Sequence, residues 1–165
     1  MSPVVKYFNN EKAESYLFIL IGVIVILMAL YFLFVLKTSF WKGMAMPFLL
    51  VASLEIIVGY TIVTRSPKDL VRVEEFVKNQ PQKIITSEIP RMEKVMNNFI
   101  IYRYVEIILI ILGIVLMYSS TKDTFWRGIG LGLFSQASIV LCLDFFAERR
   151  GHIYLEFLKD ISVNL

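Results

Sequence analysis

A chain of 165 residues that is 57% hydrophobic, with a mean hydropathy of +0.67, exceeds the roughly 45–50% apolar content of a soluble domain and reads as a single membrane domain. A net charge of +3 gives no reason to invoke nucleic acid. One cysteine, Cys142, and one histidine, His152, exclude an internal disulfide, a haem or two-histidine zinc spacing and a Ser-His-Asp or Cys-His set, so neither metal nor cofactor is implied.

Four nearly uncharged runs follow one another, Tyr16–Leu36, Met44–Thr64, Phe99–Ser119 and Ile129–Ala147. Each is near the ~20 residues a helix needs to cross a ~30 Å hydrocarbon core. None alternates with period two, and helices satisfy their own backbone in lipid, so the fold class is all-α, an integral membrane four-helix bundle. The first run is too long and too far from the start for a signal peptide, and no small-x-small cleavage pattern follows it, so it reads as a retained span.

Between the first two spans stands Phe40-Trp41-Lys42-Gly43, and between the last two Phe125-Trp126-Arg127-Gly128. A shift of 85 positions also aligns Lys37, Ala52, Ser53 and Arg65 with Lys122, Ala137, Ser138 and Arg150. Small residues recur every seventh position: Ser15, Gly22 and Ala29, then Ala45, Ala52 and Gly59, then Gly130 and Ala137 with Asp144 in the third place. Such stripes let helices approach closely with a left-handed crossing, and they predict the packing seams of two repeated helical hairpins in parallel topology. The alternative is that Gly and Ala are simply common in membrane helices.

Only Lys37, Lys42, Lys122 and Arg127 lie in the short links; every other lysine and arginine falls on or near the opposite side. Positive charge is retained inside, which puts both termini and residues 65–98 in the cytoplasm, of a bacterial inner membrane on this reading. Within that segment Ser66-Pro67 looks like the cap and first turn of a short amphipathic helix carrying Leu70, Val73, Phe76 and Val77 on one face. Thr86-Ser87-Glu88 looks like a second start, leading into a third span that runs on as one long helix. Gly151 is expected to bend the chain into an amphipathic tail with Ile153, Tyr154, Phe157, Leu158 and Ile161 as its stripe, lying at headgroup level or on the protein's own base.

Three acids, Glu55, Glu106 and Asp144, lie inside the spans, with Arg103 one turn before Glu106. A charge at mid-bilayer costs roughly 2.5–3.5 kcal/mol, so these residues face the bundle or water. With Ser53, Gln136 and Ser138 they outline a polar pocket, with Arg149 and Arg150 at its mouth, suited to a cation, a proton or a cationic ligand. The structural alternative pairs Arg103 with Glu106 and Asp144 with Arg149 or Arg150, fixing helix register only. His152 reads as an interfacial residue, and Gly128, Gly130 and Gly132 as close packing rather than a phosphate loop.

These observations favour a small non-enzymatic membrane component that binds a partner, of accessory or immunity type, whose partners are the lipid bilayer and a second copy or another membrane protein. The alternatives are an oligomeric channel or transporter subunit using the acidic cluster, and, least supported, an intramembrane enzyme.

Overall fold

The computed structural model describes residues 2–163, and among these four helices are long and apolar enough to cross a membrane. Helix α1 (Pro3–Tyr31) starts on Ser2, whose hydroxyl accepts from the Val5 N–H, and ends in a π-helical turn, Phe32–Leu36. Lys37, with φ of 57°, turns the chain into α2 (Ser39–Asn79). The chain breaks at Gln80 and Pro81, re-enters through a π-helical turn (Ile84–Glu88) and continues as α3 (Ile89–Ser119). A short link containing Asp123 at φ of 59° leads to α4 (Phe125–Val163).

Helices α2 and α4 form the centre, with α1 packed on α2 and α3 on α4. The seams run along the small residues. A Cβ at Gly22 would stand 3.0 Å from the Ala52 carbonyl, and one at Gly59 would stand 2.9 Å from the Ser15 carbonyl, so the α1 and α2 stripes interlock. Gly130 meets α3 at the Gly113 carbonyl in the same manner. At the central crossing Gly43 lies against the Phe125 carbonyl and Gly128 against the Phe40 carbonyl, too close for any side chain. These two contacts exchange under the 85-residue shift.

Three local expectations are corrected. Ser66-Pro67 does not begin a helix: α2 runs through both Pro47 and Pro67 without interruption. Ser66 is buried and donates its hydroxyl to the Phe8 carbonyl at 3.0 Å, so the supposed cap is a tie to α1, and packing outweighs the hydrogen bond that proline removes. Thr86-Ser87-Glu88 lies inside the second π-helical turn, and Glu88 makes no capping bond because its carboxylate is engaged by arginine. The long third helix itself is present.

Gly151 does not bend α4 but passes beside Met96, whose sulfur would sit 2.8 Å from a Cβ there. The tail is therefore the last turns of α4, with Leu155 rather than Ile153 in its buried face, Ile153 being 62% exposed. The ends of all four helices converge beyond the spans into a head with its own apolar core, in which Phe8, Val73, Ile84, Met92 and Leu158 are buried. The Tyr7 ring stacks on Tyr154 at 4.0 Å within it.

Gly43→Ala and Gly128→Ala each drive a methyl group into the backbone of the facing helix. Each is expected to lower stability by about 1–3 kcal/mol or more, measured by thermal unfolding in detergent. Gly22→Ala, where the nearest obstruction is the movable Ile56 side chain, is expected to cost less; equal losses would show that the α2–α4 crossing is no tighter than the α1–α2 seam.

Candidate functional site

Two polar assemblies lie in the structure, one among the spans and one in the head. In the first, Glu55 on α2 is 4% exposed and Gln136 on α4 is fully buried; the Gln136 amide donates to Glu55 Oε1 at 2.9 Å, bridging the central crossing. Among the described residues Glu55 Oε2 and Gln136 Oε1 make no hydrogen bond. Two turns nearer the head, Asp144 of α4 meets Glu106 of α3, itself buried and with Oε2 unpartnered. The Asp144 charge also acts on Glu55, so the three acids from three helices form one electrostatic group. Every unpartnered atom in it is an acceptor.

The residues expected around these acids divide. Arg103 does not pair with Glu106; its guanidinium forms an ion pair with Glu148 of α4. Arg150 turns away toward α1, pairing with Glu14 and standing 5.7 Å over the Tyr7 ring, and Arg149 is exposed, so neither arginine guards the acids. Ser53 is exposed and bonds the Leu49 carbonyl of its own helix, outside the cluster. Ser138 likewise bonds the Phe134 carbonyl and lines a groove of about 560 Å³ between α3 and α4. Phe99, Arg103, Ile107, Asp144 and Glu148 line the same groove, so it opens beside the Arg103–Glu148 pair.

Sequence reasoning passed over Glu148 and the placement of His152. Gln136, Asp144, Glu148 and His152 fall on one four-residue row of α4, with Val140 between the first two. His152 Nε2 lies 3.6 Å from Glu148 Oε1. That spacing was the signal that could have found them.

The head assembly was also missed. Glu88, 1% exposed, receives two bonds from Arg91 at 3.0 and 2.6 Å and one from the Tyr154 hydroxyl at 3.1 Å. Asp69 is held by Arg65 at 3.0 Å and Arg72 at 2.9 Å, and Arg65 reaches on to Glu11 on α1 at 3.6 Å. Burial, assisted by Glu88, pushes the Tyr154 hydroxyl up, and burial drives Arg150 down. Each buried charge here has a partner on another element or another turn, which is how such a network fixes register. Among the spans no such ion pair reaches Glu55, and Glu106 and Asp144 meet each other with Arg103 acting on Glu106 only through space, a contrast that marks these acids as the candidate site.

Burial pushes Glu11 above the ordinary 4.5, against the pull of Arg65. The folded protein therefore holds the Glu11 proton to higher pH than the unfolded chain does. Its contribution to stability is full below about 4.5 and is lost as pH rises through the raised value. Glu11→Gln is expected to flatten that loss, the melting temperature of the variant gaining on the wild type between acid and neutral pH. Parallel curves would refute it.

Comparison with protein-family models, curated proteins and solved structures finds no match, so the functional reading rests on this geometry.

Proposed function

We propose that the chain is a non-enzymatic, polytopic inner-membrane protein made of two copies of one helical hairpin, which works by taking up a proton at Glu55 and the Glu106–Asp144 pair. One observation carries the reading: Glu55 is buried at the centre of the spans, has one oxygen on Gln136 and the other on nothing, and has no ion-pair partner among the described residues. A buried carboxylate without a counter-charge is costly, and a proton is the smallest positive group that removes the cost.

The duplication is supported by the exchange of the Gly43–Phe125 and Gly128–Phe40 contacts, and by Tyr7 reaching Met92, its own equivalent 85 positions on. The distribution of lysine and arginine supports placing the head and both termini in the cytoplasm. Four helices enclose too little volume for a wide pathway, so a transport role is exercised by an oligomer. A second reading, a partner-binding accessory, is favoured by the head, where Val71 and Ile153 are apolar yet 67% and 62% exposed beyond the spans.

Purified protein in liposomes with an entrapped pH dye is expected to carry protons after an external pH step, and Glu55→Gln to abolish that flux while membrane accumulation stays normal. Flux indifferent to Glu55→Gln would overturn proton uptake at this residue, and a stoichiometric co-purifying protein with no flux would favour the accessory reading. Cysteines introduced at Gln82 and Ser39, with Cys142 replaced, are expected to be labelled from the inside and the outside respectively; the reverse pattern overturns the orientation.

A further inference from the structure

We propose that protons enter the buried acids along one row of α4, from His152 through Glu148 to Asp144. This rests on the reading of the acids as proton carriers. His152 is 58% exposed at the head, and its Nε2 faces Glu148 Oε1 at 3.6 Å, while the Glu148 side chain is only 11% exposed. Imidazole is the side chain best suited to exchanging protons with water near neutral pH, and here it stands against the first carboxylate of the row.

Four residues further into the spans the next titratable group is Asp144, an axial step of about 6 Å. The groove between α3 and α4 runs beside that step, lined by both Glu148 and Asp144. At about 560 Å³ the groove has room for one or two waters, each occupying about 30 Å³, between the two carboxylates. From Asp144 the proton passes to Glu106 on α3 or to the electrostatically linked Glu55 on α2.

The proton balance is simple. Imidazolium N–H gives one proton to Glu148 and recovers one from bulk water; protonated Glu148 gives it through water to Asp144 and returns to carboxylate. The groups facing the row are Arg103 on α3 at Glu148, Glu106 on α3 at Asp144 and Glu55 on α2. Arg103, 46% exposed at the groove mouth, pairs with Glu148 across the groove and holds its side chain in place. Of the two arginines that follow Glu148 in the chain, Arg150 is turned to Glu14 on α1 and Arg149 is exposed.

The test is infrared spectroscopy of the whole protein in lipid nanodiscs after a rapid drop in pH, following the carbonyl band of protonated carboxylic acid. The wild type is expected to gain this band, and Glu55→Gln to lose part of it. His152→Ala is expected to slow its appearance by about a hundredfold while leaving its final size unchanged, with free imidazole restoring the rate. Glu148→Gln is expected to slow it without rescue. Exposed His152 makes the first variant safe for folding, and the unchanged final band checks that directly. A band sensitive to Glu55→Gln that grows equally fast in His152→Ala overturns the route and leaves the reading of the acids intact; a wild-type protein with no such band overturns both.

Discussion

The structure depends on the backbone contact between α2 and α4 at Gly43 and Gly128. In lipid, apolar side chains gain nothing by leaving one hydrocarbon environment for another, so helices associate through close van der Waals approach and polar bonds. With no Cβ at either position, each helix sets a carbonyl of its first turn against the other's glycine. The outer helices then have only to follow their own stripes, α1 on α2 and α3 on α4, and the crossing determines where all four ends meet. The head core and its arginine network form where that convergence leads.

The two polar assemblies show opposite solutions to one electrostatic problem. In the head, Glu88 and Asp69 are held by arginines whose own side chains remain partly exposed, so the charges are compensated and solvated at one edge. Among the spans Glu55 receives a neutral amide and the Glu106–Asp144 pair faces itself. Arginine could have been supplied there, since Arg103 lies one turn from Glu106, yet its guanidinium reaches across to Glu148 instead. The spans thus keep acceptors that a mobile positive species can satisfy, and this asymmetry carries the functional argument.

Much of this was legible in the sequence because hydrocarbon imposes simple rules. The four runs, the seventh-residue stripes and the three acids could all be read before any coordinates, since span length, close packing and buried charge each leave a one-dimensional mark. Helix boundaries in the head could not. Ser66-Pro67 and Gly151 are ordinary punctuation in an isolated chain, and they were overridden because Phe8 and Met96, each about a third of the chain away, stand where they can pack on them. The same limit hid Glu148: four residues from Asp144 an acid on the boundary looks like solvated surface until α3 brings Arg103 to it.

Under the proposed duplication, the Glu55–Gln136 bond has a vacant twin. Gln136 corresponds to Val51 and Glu55 to Val140, so the second place related by the internal axis is filled with branched hydrocarbon. A frame that is nearly even-handed in its backbone is therefore lopsided in its chemistry. Such a molecule has only one reactive flank to present, and in any ring of copies all the acids would point the same way round.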